Sequence, residues 1–149
     1  MSVPGDFDVM NKRILVADDD NSVRESLKKV LENAGYDVIC VANGDDAEKQ
    51  ISIETIDLLI LDLNLPGQDG WNVFGLASAL KPLLPVIILT GLKEQSENAF
   101  LAGVAAFLEK PVDVLVLLNT VARLLAEPAQ LRLLRATVCA RQRPIKILA

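Results

Sequence analysis

Three consecutive aspartates, Asp18, Asp19 and Asp20, follow directly on the short run RILVA (13–17). A second run, DLLILD (57–62), ends on Asp62, with Asn64, Pro66, Gly67 and Gly70 crowded behind it. Two more runs end on groups that handle anions: VIILT (86–90) on Thr90, and AAFLEK (105–110) on Lys110. Three neighbouring carboxylates repel one another and hold their protons more tightly unless a cation offsets them. The chain has no histidine and two distant cysteines, Cys40 and Cys139. That excludes Ser-His-Asp and Cys-His catalysis and makes most zinc sites improbable. A hard, oxygen-loving ion is the natural partner. Mg2+ fits best, because it takes a few carboxylates, keeps several waters and favours phosphate oxygens. With Lys110 as a point charge and Thr90 as a hydrogen-bonding group for an anionic substituent, the set describes a phosphoryl site with Asp62 as nucleophile.

These groups meet only if the runs are strands of one parallel sheet, where ligands bind outside the carboxyl ends. Helical patterns do separate them. Val23, Leu27, Val30 and Leu31 repeat at helical spacing up to Ala34–Gly35, and Asp20 reads as the cap of that helix. The segment YDVICV (36–41) is β-branched and strand-like, and 45–54 is a weak amphipathic helix. Residues 70–80 form a helix that ends before Pro82, and a short helix over 95–102 closes at Gly103. Asp113 caps the strongly apolar VLVLLNTVARLLA (114–126). Strand and helix alternate five times, with strands apolar on both faces. The pattern predicts an α/β fold: a five-stranded parallel sheet, doubly wound, with helices on both sides.

At this point the sequence resembles a response-regulator receiver domain, the phospho-acceptor module of two-component signalling, with its flavodoxin-like fold. The carrying motifs are ILVADDD (14–20), LLILDLNLPGQDG (58–70), IILTG (87–91) and FLEKP (107–111), in the family's order. The resemblance covers 12–126. It implies that Asp18 and Asp19 are the acidic pair, Asp19 the more direct Mg2+ ligand, and that Asp62 is the phosphorylated aspartate and a further ligand. It implies that Asn64 lends its backbone carbonyl to the metal, that Thr90 is the switch hydroxyl, Lys110 the phosphate-binding lysine and Phe107 the switch aromatic. It also implies a Lys110–Pro111 peptide that is often cis. The expected partners are a sensor histidine kinase or phosphotransfer protein, with acetyl phosphate as a small donor. The implied output is a changed face around the 95–102 helix and the fifth strand, acting on a partner, an output domain or a second copy. The domain would catalyse its own phosphorylation and dephosphorylation only.

The chain departs from the family in three places. Phe107 lacks the hydroxyl of the frequent tyrosine, Gly91 stands where alanine is usual, and the interval from Thr90 to Lys110 is about two residues short, before Gly103. Two rival readings are weaker. A haloacid-dehalogenase-like phosphatase uses similar groups, but there the nucleophile opens the chain and the acidic pair closes it; here Asn64, not a second aspartate, follows Asp62. An unphosphorylated interaction module of the same fold needs a reason for filling every core position.

The 149 residues suggest one domain, and 51% are hydrophobic, enough for a real core. No apolar run approaches the ~18–20 residues of a membrane span. The leader 1–11 is acidic and unlike a signal peptide, so the expected setting is cytoplasmic, with reduced thiols. Net charge is −5, yet the tail 127–149 holds Arg132, Arg135, Arg141, Arg143 and Lys146 against Glu127 alone. An acidic body with a basic tail argues against nucleic-acid binding by the body. Pro128 ends the preceding helix, and the tail is read as a linker or as one more helix with Leu131, Leu134 and Val138 along one side. Trp71, the only tryptophan, is expected to be partly packed near the acidic loop.

Overall fold

The computed structural model describes residues 11–67, 69–91 and 103–148, with side chains described through Val138. In chain order the elements are β1 (Arg13–Ala17), α1 (Asn21–Asn33), β2 (Asp37–Val41), α2 (Gly44–Ile53) and β3 (Leu58–Asp62). They continue as α3 (Gly70–Leu80), β4 (Val86–Thr90), β5 (Ala106–Glu109), α4 (Val114–Leu125) and α5 (Ala129–Leu148). The helix expected over 95–102 lies outside the described residues, as does the leader apart from Asn11.

All strand pairs are parallel, in the order β2-β1-β3-β4-β5. Because strand side chains alternate, the apolar runs feed two cores. Leu15, Ala17, Leu59, Leu61 and Ile88 face α2 and α3, meeting Ala47, Ile51, Val73, Phe74 and Ala77. Ile14, Val16, Leu58, Ile60, Ile87 and Leu89 face α1 and α4, meeting Leu27, Leu31, Leu117, Val121 and Leu124. Each fully buried leucine or isoleucine here stabilises the fold by roughly 1.5–3 kcal/mol. The sheet is therefore doubly wound, as its two-sided apolar strands require.

The caps follow side-chain chemistry. Asp20 Oδ1 accepts from Ser22 N at 2.8 Å and Val23 N at 3.3 Å, Asn43 Oδ1 from Asp46 N at 2.8 Å, and Asp113 Oδ1 from Val116 N at 3.1 Å. The second strand starts one residue later than its β-branched run suggests. Tyr36 N–H donates to Leu31 O at 3.1 Å, which spends that donor on closing α1.

The tail is helical. Its axis turns 99° from α4, and Arg132 Nη2 caps the carbonyls of Leu124 and Leu125 at 2.9 and 3.3 Å. Arg135 grips the nearly buried Glu127 with two hydrogen bonds, at 3.1 and 2.6 Å. The expected side of Leu131, Leu134 and Val138 faces solvent, at 47%, 63% and 40% exposure. Among the described residues no single helix is long and apolar enough to cross a membrane.

Candidate functional site: an acidic cleft at the strand tips

The strand order reverses between β1 and β3, so the connections leaving their carboxyl ends pass to opposite faces of the sheet and leave a crevice between them. Asp18 follows β1, and Asp62 closes β3. Backbone bonds lash the tips together: Asp18 N to Val41 O at 3.1 Å, Leu63 N to Leu89 O at 3.3 Å and Lys110 N to Thr90 O at 3.0 Å. The sheet thus brings Asp18, Asp62, Thr90 and Lys110 to one edge. Asp18, Asp62 and Thr90 are buried, while Asp19 is exposed and opens the cluster to water.

Asp18, Asp19 and Asp62 each offer one carboxylate oxygen within 4.8 Å of the others. Lys110 Nζ stands 2.9 Å from Asp62 Oδ2 and 2.7 Å from Asp18 Oδ2. The contact with Asp62 is an aligned hydrogen bond. The contact with Asp18 is an ion pair that misses hydrogen-bond alignment, so buried Asp18 Oδ2 has charge compensation but no aligned donor. The remaining oxygens are engaged: Asp18 Oδ1 by Asp20 N at 2.9 Å, and Asp62 Oδ1 by Asn64 N at 3.0 Å.

Burial pushes the Asp62 carboxyl above the usual carboxylate range. The Asn64 amide and Lys110 pull it down and the Asp18 charge pushes it up, but burial prevails. For Lys110, burial alone would lower the ammonium pKa; the two carboxylates of Asp18 and Asp62 pressed against it outweigh that and raise it. A lysine held by two carboxylates is a reliable cation. The set of three carboxylate oxygens, one buried without an aligned donor and one open to water, suits a small hard divalent ion such as Mg2+.

Close backbone approach shapes the loop behind Asp62. A Cβ on Gly70 would meet Leu63 Cα at 2.5 Å, Leu63 O at 2.8 Å and Asp62 O at 2.9 Å. Only glycine lets α3 start this near the strand tip. Gly67 adopts φ +84° against the Asp45 carboxylate. Trp71 is half-buried and edge-on to Phe74, with ring centroids 5.9 Å apart. Phe107, opposite Ile88 in the sheet, is half-buried against the α2–α3 core. The Lys110–Pro111 peptide is cis.

Sequence reasoning passed over two contributors. Gly70 is drawn in by the turn but carries no mark of its backbone contacts. Arg24 reaches from α1 to the carbonyl of Asp18, at 2.8 Å, and nothing in helical periodicity singles it out.

A family model for the response regulator receiver domain matches residues 14–122. The chain belongs to that family. It is 35% identical over 108 residues to the transcriptional regulatory protein CrdR of Helicobacter pylori, covering 70% of this chain and 51% of that protein. It is 34% identical over 116 residues to the response regulator receiver protein CpdR of Brucella abortus, covering 76% of this chain and 97% of that protein. Against FleR and PhoP, two further regulators, it spans 24% and 37% of their length, so it covers about half or less of these longer relatives. Among solved structures, a CheY-like receiver domain protein from Methanospirillum hungatei matches with TM-score 0.73 and 33% identity, over 77% of this chain and 94% of that one. The receiver domain of a sensor histidine kinase from Pseudomonas aeruginosa, with a magnesium ion coordinated in its active site cleft, matches with TM-score 0.72 and 26% identity, over 78% and 99%. Receiver domains are regulatory modules of two-component signalling, phosphorylated on aspartate, and they generally bind Mg2+ at an acidic site.

Proposed function

We propose that this chain is a phospho-acceptor switch in which Asp62 takes a phosphoryl group from a phosphohistidine on a sensor kinase or phosphotransfer protein, or from acetyl phosphate. The observation that carries the reading is the shared grip of Lys110 on Asp18 and Asp62, beside an oxygen cluster fit for a divalent ion. In the reading, an Asp62 carboxylate oxygen forms the new P–O bond as the donor's bond to phosphorus breaks. The ammonium of Lys110 offsets charge on the transferred group, and Asn64 N–H keeps the carboxylate aimed. Asp18, Asp19, Asp62 and the backbone carbonyl of Asn64 would hold Mg2+, which when bound supplies charge neutralisation for in-line transfer. Hydrolysis of the aspartyl phosphate would reset the switch.

The added oxygens need donors, and the reading gives Thr90 that role. It stands buried at the tip of β4, one residue past the Asp62–Leu89 register pair. Phe107, half-buried two strands from β3, is the aromatic that would turn when Thr90 moves. The switching unit is taken as 12–126, with the basic tail as the link to an output domain, a target or a second copy. Intact mass after acetyl phosphate, with and without Mg2+, tests the chemistry, and size-exclusion of both forms tests assembly. No Mg2+-dependent mass gain in the wild type overturns the reading.

A further inference from the structure

Arg24 sits on the first turns of α1, half-buried, and its guanidinium turns back over the loop Asp18–Asp20. Nη1 donates to the backbone carbonyl of Asp18 at 2.8 Å, and Nη2 donates to Asn21 Oδ1 at 3.0 Å. Its own N–H donates to Asp20 O at 3.0 Å, so the residue holds both ends of the loop. Asp18 is gripped from the opposite side too, its N–H bonded to Val41 O at 3.1 Å. Asp19 is exposed between these fixed points.

We infer that Arg24 is a positioning residue for the acidic pair: by clamping the Asp18 carbonyl it presents the Asp18 and Asp19 carboxylates in the arrangement a divalent cation needs. The inference rests on the phosphoryl-acceptor reading and adds to it a residue that touches neither metal nor phosphate. Its sign separates it from plain electrostatics. A guanidinium near a cation site repels the cation, so an Arg24 acting only through its charge would, when removed, let Mg2+ bind more tightly. A clamp predicts the reverse, because the cation must then order the loop itself.

The experiment is calorimetric titration of Mg2+ into chelator-treated wild type, Arg24→Ala and Arg24→Lys, with amide hydrogen exchange of each in EDTA. Arg24→Ala is expected to weaken Mg2+ binding on the order of tenfold, the lower part of the range for groups that orient metal ligands. Arg24→Lys, which keeps the charge and one donor, falls between, and it carries the test if the alanine variant fails to fold. Exchange at the Asp20 amide, which the loop holds on Asp18 Oδ1 at 2.9 Å, should quicken in Arg24→Ala before any metal is added. Equal or tighter Mg2+ binding by Arg24→Ala overturns the inference, as does unchanged exchange at the Asp20 amide. A wild type that takes up no Mg2+ overturns the phosphoryl reading itself; faster exchange in Arg24→Ala would then reduce Arg24 to a loop clamp with no metal to serve.

Discussion

Lys110 Nζ donates to Asp62 Oδ2 at 2.9 Å, so the two strand tips that bear them are joined by one charged hydrogen bond. With Asp18 Oδ2 at 2.7 Å from the same nitrogen, this ammonium offsets both buried carboxylates. Removing it should cost stability that a divalent cation can restore. Lys110→Ala leaves Asp18 and Asp62 buried without their cation, and should lower stability in EDTA by about 2 kcal/mol, the pair being partly open to water. Mg2+ should restore most of that loss, since a bound cation stabilises the native state by mass action. Urea unfolding of both proteins with and without Mg2+ measures it. A variant that Mg2+ fails to rescue would contradict the shared-charge account.

Asp62→Asn keeps the shape of the side chain but removes the anionic oxygen that would form the P–O bond. Mg2+-dependent labelling by acetyl phosphate should vanish, as read by intact mass. Labelling at the wild-type level would strip Asp62 of its role.

The raised Asp62 pKa has a defined sign in stability. The folded state binds this proton more tightly than the unfolded chain does, so the group favours folding at low pH. That contribution fades as pH climbs from the ordinary carboxylate value through the raised one. In EDTA, wild type minus Asp62→Asn should therefore show stability falling with pH across that interval. Lys110, also raised, contributes stability that is full below the ordinary lysine value and is lost as pH rises through the folded one. A difference curve that rises with pH in the acid interval would refute the burial argument.

Glycines 70 and 75 lie in one helix and should respond in opposite directions. Gly70→Ala drives a Cβ into the backbone of Asp62 and Leu63, and should cost roughly 1–3 kcal/mol while disturbing the acidic cleft. At Gly75 a Cβ meets nothing within 4 Å, and Gly75→Ala should stabilise by about 0.5–1 kcal/mol. Thermal unfolding of both variants, with Mg2+ affinity for the first, decides it.

The fold was legible because its strands are apolar on both faces and its helices carry explicit stops and caps. Leu58–Leu61 announces a buried strand, and Asp20 and Asp113 cap the helices assigned to them. The tips were legible because one parallel sheet must put every strand's carboxyl end on one edge. What the sequence hid lies in how neighbouring segments fold back on one another. The reach of Arg24 to Asp18, the contact of Gly70 with Leu63 and the clasp of Arg135 on Glu127 follow from how elements pack, not from their own periodicity. The sheet start at Asp37 was hidden for a local reason, since Tyr36 is buried yet spends its N–H on α1. The 95–102 helix, with the shortened interval ahead of Gly103, lies outside the described residues.

The clasp on α5 has a mechanical corollary. A tail joined to its body by a limp connector lets whatever it carries tumble freely, whereas this helix is set square to α4 and bolted there by two arginines. Anything mounted on such a helix would be steered rather than leashed, a small tilt of α4 becoming a wide sweep at the far end of the boom.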